Sequence, residues 1–183
     1  GKFTIVSVIL INVLAFALAL ALTKGIKGTN IFRTIFFMPN LIGGVVLGYV
    51  WKTLINCFLS IIGQPLLALN STAGYWGLII LMCWQQIGYM MIVYIAGLQS
   101  VPDSVIEAAE IDGANAWKTL FKVKIPMVMS SVTVCLFLTL SNSFKLFDQN
   151  LALTNGQPYG KGKMTEMLAL NIFNTFYARS GKV

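Results

Sequence analysis

The chain has 183 residues, 57% hydrophobic and only 10% charged, with 13 Lys+Arg against 6 Asp+Glu and no histidine; its mean hydropathy is +0.78. Soluble domains carry about 25% charged residues, so the composition describes an integral membrane protein, one domain over residues 1–183, and the missing histidine excludes His-based triads and His-ligated metal sites. The net charge of +7 is scattered over loops and helix ends, which excludes a basic nucleic-acid surface with interleaved aromatics and suits anchoring at a membrane.

Residues 3–22 carry no charge. At ~1.5 Å per residue they reach about 30 Å, the thickness of a hydrocarbon core. The run is apolar all round, unlike a soluble surface helix. It is too long for the apolar part of a signal peptide, and no small-residue cleavage site follows it. The link over residues 23–33 holds Lys24, Lys27 and Arg33. A second span is expected over residues 34–54, with Pro39 bending its start. Gly43, Gly44 and Gly48 offer a face for close helix contact.

No charged residue occurs from Thr53 to Pro102, too long a stretch for one span. Gly63-Gln64-Pro65 and Asn70–Gly74 interrupt it, so residues 55–74 are expected to be an interfacial segment. The third span is then residues 76–97, with Tyr75 and Trp76 at the membrane boundary.

Residues 102–126 break the apolar pattern. They read PDSVIEAAEIDGANAWKTLFKVKIP and hold four of the six acidic residues, with Lys118, Lys122 and Lys124. Ser104 and Glu107 have capping-box spacing, predicting a helix that starts at Ser104. Gly113 stops it in the left-handed conformation. A second short helix follows over residues 115–122, and Pro126 suits the first turn of the next one. A polar island between two spans reads as a docking surface, although on residue chemistry alone an amphipathic connector is the plainer reading.

The fourth span is expected over residues 127–147, and a partial helix over 164–178. The Gly- and Lys-rich stretch 156–163 fails the spacing of a phosphate-binding loop and reads as a solvated loop. Cys57, Cys83 and Cys135 lie far apart in apolar contexts and read as small buried residues. Positive charge does not decide orientation: six basic residues fall on the side of the 102–126 loop and the other seven outside it or at the chain ends.

The set Glu107-Ala108-Ala109, Gly113 and Val123-x-Ile125-Pro126 resembles the EAA loop of ABC-importer permeases, and with Asp112, Ala114 and Phe121 it is similar to the carbohydrate, MalF-like branch. Val123 and Ile125 are conservative departures from that pattern. Further similarity lies in Arg33-Thr34-x-Phe36-Phe37-x-Pro39, Trp84-Gln85-x-x-Gly88, residues 96–102, and Phe147-Asp148 with Leu153-Thr154-x-Gly156-x-Pro158, where Gln157 replaces a glycine. The resemblance implies an all-α polytopic transmembrane bundle of the type I importer permease fold in a bacterial cell membrane. It also implies a fragment lacking the first span and most of the last. The expected partners are an ATP-binding subunit, a second permease subunit, an extracytoplasmic solute-binding protein and membrane lipid. ATP and Mg would be bound by the ATPase, this chain needing no cofactor and catalysing nothing itself. In the coupling loop, residues 99–126, Glu107 would meet the ATPase, Ala108 and Ala109 would enter its cleft, Gly113 would make the bend, and Asp112 and Pro126 complete the motif.

Polar groups inside apolar spans are the candidates for a solute path: Gln85 and Gln86 in mid-span, Asn142 and Ser143 near the end of the fourth. The plainer reading of each is an interhelical hydrogen bond worth about 0.6–2 kcal/mol. Together they suit a neutral, hydroxyl-rich solute, with Trp84 and Tyr89 as possible stacking faces and Lys145 and Asp148 nearer an outer loop for gating or binding-protein contact. The expected function is the membrane subunit of a sugar or polyol importer. The alternatives are a permease for another solute such as a glycerol phosphate, or a polytopic scaffold without a transport path. A proton-coupled carrier is disfavoured because no acid or histidine lies in mid-span.

Overall fold

A computed structural model describes residues 2–23, 28–63, 71–154 and 165–178. Among these residues the chain is helical with no strand. The helices are α1 (Lys2–Thr23), α2 (Thr29–Phe37), α3 (Gly44–Ile61), α4 (Ser71–Gln99), α5 (Asp103–Ile111), α6 (Ala116–Thr119), α7 (Ile125–Met127), α8 (Met129–Phe144), α9 (Asp148–Thr154) and α10 (Leu168–Phe173). A 3-10 turn follows α2, and π-helical turns follow α6 and α10. The solvated loop expected over 156–163 lies outside the described residues.

Three of these helices are long and apolar enough to cross a membrane: Lys2–Thr23, Gly44–Ile61 and Thr72–Gln99. The third is the core helix. Its apolar window is 67% buried, against 33% for α1 and 17% for α3. α1 lies parallel to α4, since Phe3 meets Tyr75 and Phe16 meets Tyr94. α8 is antiparallel to both, with Thr139 at Asn12, Asn142 at Gln86 and Ser131 at Gly97. Ile11, Ala15 and Ala19 of α1, Leu78, Met82, Met90 and Met91 of α4, and Cys135 of α8 are buried between them.

The run expected as one span over residues 34–54 is two helices. α2 ends at Phe37, Met38–Leu41 form the 3-10 turn, and Ile42 and Gly43 are extended at ψ 130 and 137. Pro39 lacks the N–H an α-helix needs and disfavours the α-conformation before it. α3 then starts at Gly44 and runs to Ile61, so residues 55–61, expected in the interfacial segment, continue the helix instead. At the other edge of that segment, residues 71–74 belong to α4.

The expected fourth span over 127–147 is shorter, α8 covering Met129–Phe144. The helical run Ala116–Met127 meets α8 at 69°. α8 itself has 16 residues, about 24 Å. The chain leaves it at Lys145 and resumes in α9, which packs along α3. Gly44 and Gly48 make that approach close: a Cβ on Gly48 would lie 2.6 Å from the Ala152 Cβ.

Candidate functional site

Gln85 is the central residue of α4, with Gln86 beside it, both buried. The two interruptions, one after α2 and one after α8, reach α4 at this depth. With no lipid-facing water to bond, exposed backbone at membrane depth is tolerated only where it lines a cavity or is buried in protein. Here a cavity of about 300 Å³ is lined by Asn40 from the first break, Gln85 and Gln86 from α4, and Asn142, Lys145, Leu146, Asp148 and Gln149 around the second.

Its amides are bonded to each other across helices. Gln149 Nε2 donates to Gln85 Oε1 at 2.7 Å. Asn142 Nδ2 donates to Gln86 Oε1 at 3.2 Å. Gln85 Nε2 reaches the Ile42 carbonyl freed by the Pro39 break, at a long 3.4 Å. An amide both donates and accepts, so the lining can exchange these contacts for those of a bound hydroxyl without moving a charge. The two charges on the wall, Lys145 and Asp148, are of opposite sign.

The structure thus brings Gln85, Gln86 and Asn142 together and separates Ser143 from them. Ser143 is 3% exposed and donates to the Thr139 carbonyl at 2.7 Å on its own helix. One residue is a rotation of about 100° on a helix, which turns it into the core. Lys145 and Asp148, expected nearer an outer loop, line the cavity itself. Trp84 does not: it stands edge-on to Trp51 at 5.6 Å over a separate apolar hollow lined by Ile42, Val46, Leu47, Val50 and Leu54. Tyr89 lies against Phe37 at 6.4 Å. Asn40 and Gln149 belong to the wall and were not singled out by sequence. Their only signal was adjacency to Pro39 and to Asp148.

The 102–126 loop forms a second candidate site. α5 begins at Asp103, one residue earlier than expected, with Pro102 as its N-cap and no side-chain cap. Ser104 is therefore already inside the helix, and the capping box does not form; the Pro102 carbonyl accepts from Val105 N at 3.1 Å instead. Gly113 ends the helix at φ +75. Ala114 N donates to Ala109 O at 2.9 Å and Gly113 N to Glu110 O at 3.0 Å, the paired bonds of a Schellman motif. Asn115 then caps α6, its Oδ1 accepting from Lys118 N at 2.9 Å. The helical path runs unbroken into α7 because Leu120–Lys124 widen into a π-turn just before Pro126. The wider turn accommodates a proline that can neither donate nor clear a carbonyl four residues back. Glu107, Ala108, Asp112, Gly113 and Pro126 are exposed, and Ala109 is half-buried. Among the described residues no cluster of His, Cys, Asp and Glu could hold a metal.

A family model described as "Binding-protein-dependent transport system inner membrane component" matches residues 11–178. The chain is 44% identical to a probable starch degradation products transport system permease protein, AmyD, of Thermoanaerobacterium thermosulfurigenes, covering 97% of this chain and 62% of that protein. It is 31% identical to the multiple sugar-binding transport system permease protein MsmF of Streptococcus mutans, over 88% of this chain and 58% of that one. It is 29% identical to the trehalose/maltose transport system permease protein MalF of Thermococcus litoralis, over 94% of this chain and 62% of that one. The chain therefore spans roughly three-fifths of the length of these relatives. A solved bacterial ABC transporter involved in import of the acidic polysaccharide alginate superposes with a TM-score of 0.77 at 20% identity, covering 98% of this chain and 67% of that one. At that identity the likeness speaks for the fold alone.

Proposed function

The chain belongs to the family of binding-protein-dependent transport system inner-membrane components, and from that premise we propose that it lines the path of an ATP-driven importer for a neutral sugar or polyol. The observation that carries this reading is the amide-lined cavity at the mid-depth of α4, where both neighbouring helices break. Sugar hydroxyls donate and accept, as amides do, and Lys145 and Asp148 offset each other. An anionic solute such as a glycerol phosphate would call for an unbalanced cation there. A scaffold without transport would leave the cavity without a purpose. Relatives named for starch degradation products and for trehalose and maltose support the same solute class.

Energy would come from a separate ATPase docked on the 102–126 loop, with a second permease subunit completing the path and a solute-binding protein delivering cargo. Glu107 would meet the ATPase, and the exposed Ala108 and half-buried Ala109 would allow its surface close to the α5 backbone.

The test is uptake kinetics of the assembled transporter in proteoliposomes over a panel of labelled sugars. Gln85→Leu, Gln86→Leu and Asn142→Leu should each raise KM about tenfold, the equivalent of one lost hydrogen bond of about 1.4 kcal/mol, and should reorder the preferred sugars. Kinetics unchanged across all three variants would remove the cavity from the path.

A further inference from the structure

The two arms of the 102–126 loop divide its charge. α5 and its turn hold Asp103, Glu107, Glu110 and Asp112 without a lysine or arginine. The helical run Ala116–Met127 holds Lys118, Lys122 and Lys124 without an acid. A negatively charged membrane surface would repel the first arm and attract the second.

The basic arm also presents aromatics. Trp117 and Phe121, one helical turn apart, stack at 5.9 Å with ring planes 13° apart, and they are 70% and 59% exposed. Lys118 and Lys122 stand one turn apart on the neighbouring stripe. The depth of this face can be read from α1. Trp117 shares a groove of about 520 Å³ with Leu20, Ile106, Leu120 and Lys124. Leu20 lies in the last turn of α1, a helix apolar enough to cross a membrane. The groove is thus continuous with the end of a membrane span, at the level where tryptophan concentrates between headgroups and acyl chains. The acids facing these lysines are Glu110 across the groove, Asp103 in an adjoining hollow with Lys124, and Asp112 in a smaller crevice beside Lys118 and Lys122, all from the α5 arm.

We infer that the arm Ala116–Met127 is a binding surface for acidic phospholipid. Trp117 and Phe121 enter the boundary between headgroups and acyl chains, and the lysines flank them to meet the lipid phosphates. This is the arrangement of an interfacial helix, in which apolar burial and attraction to anionic lipid act together. Glu107 and Ala108 of α5 line neither this groove nor the hollow beside it and stay exposed.

The experiment uses the transporter assembled with its partner subunits in nanodiscs. Acyl-brominated phosphatidylglycerol or acyl-brominated phosphatidylcholine is supplied at equal mole fraction. Trp117 quenching is read as the difference between the unaltered protein and a Trp117→Phe variant. Phosphatidylglycerol should quench at least about twofold more strongly, and Lys118→Gln, Lys122→Gln and Lys124→Gln together should bring the two lipids level. Unchanged quenching of Trp51, Trp76 and Trp84 checks that the variants are folded. The inference is overturned if neither lipid quenches Trp117 in the assembled transporter, which would mean protein covers the face, or if both quench it equally in the unaltered protein. Glu107→Lys probes the ATPase contact separately and should leave this quenching unchanged, so failure of the transport reading and failure of this one are distinguishable.

Discussion

Asn12 uses its one amide to tie three helices together. Nδ2 donates to Thr139 Oγ1 of α8 at 2.9 Å and to the Val8 carbonyl at 2.8 Å, while Oδ1 accepts from the Tyr94 hydroxyl of α4 at 2.7 Å. The Thr139 hydroxyl in turn donates a hydrogen bond to the Cys135 carbonyl at 2.7 Å. Inside a membrane protein such contacts average about 0.6 kcal/mol and reach about 1.7 kcal/mol, because the unfolded chain in lipid also finds partners. A double-mutant cycle of Asn12→Leu with Tyr94→Phe, read by steric-trap unfolding in bicelles, should therefore give a coupling of about 0.6–1.7 kcal/mol. A coupling of zero would reduce the triad to a packing accident. Asn12 was illegible in the sequence because its partners stand 82 and 127 residues away, and one amide barely disturbs an apolar run. Gln85, Gln86 and Asn142 were legible by contrast, as polar residues in mid-span or near a span's end. Which way each points was not. Ser143 shows the limit, adjacent to Asn142 in the chain and facing the core instead of the cavity.

At the scale of helices, hydropathy reported depth but not continuity. The run over 34–51 carries no charge, so nothing in its average distinguishes one span from α2, a turn and α3. Pro39 was the signal, and its consequence was a break that delivers Asn40 and the Ile42 carbonyl to α4. The loop was read more closely because glycine and proline act locally: Gly113 takes the left-handed turn. The π-turn before Pro126 has no local sequence signal, because it is a response to the proline inside a helix that continues. The break also sets a close approach. A Cβ on Gly88 would overlap the Phe36 carbonyl at the end of α2, which is backbone and cannot swing aside. On Gly44 it would meet the Asp148 Cβ at 2.9 Å and the movable amide end of Gln149 at 3.0–3.1 Å. Helix propensity favours alanine by about 1 kcal/mol at the interior Gly88, while overpacking against an unyielding neighbour costs about 1–3 kcal/mol. Gly88→Ala should accordingly lower the melting temperature in detergent clearly more than Gly44→Ala. The reverse order would show that α2 does not rest on α4 as described.

For the molecule as a whole, the question is how a loop at one end can act on a cavity at mid-depth. α4 carries Gln85 and Gln86 and ends at Gln99, where the loop begins. Gln86 to Gln99 is 13 helical steps, about 20 Å. The loop's other end turns by 69° into α8, which carries Asn142. α4 and α8 touch closely near the loop, where a Cβ on Gly97 would overlap Ser131, and they touch again at the cavity through the Gln86–Asn142 hydrogen bond of 3.2 Å. A rigid loop that swings would move both walls. Tightly packed helices respond to such a push by switching between arrangements rather than stretching. The proposed coupling therefore depends on α5 gripping the ATPase and on the Gly113 turn holding the two arms at a fixed angle. Glu107→Lys removes the grip. Gly113→Pro removes the turn, since proline cannot adopt φ +75. Both should lower solute-stimulated ATP hydrolysis and uptake at least about tenfold, with membrane insertion and solute-independent hydrolysis retained. If stimulated hydrolysis persists in both variants, force reaches the cavity by some route other than this loop.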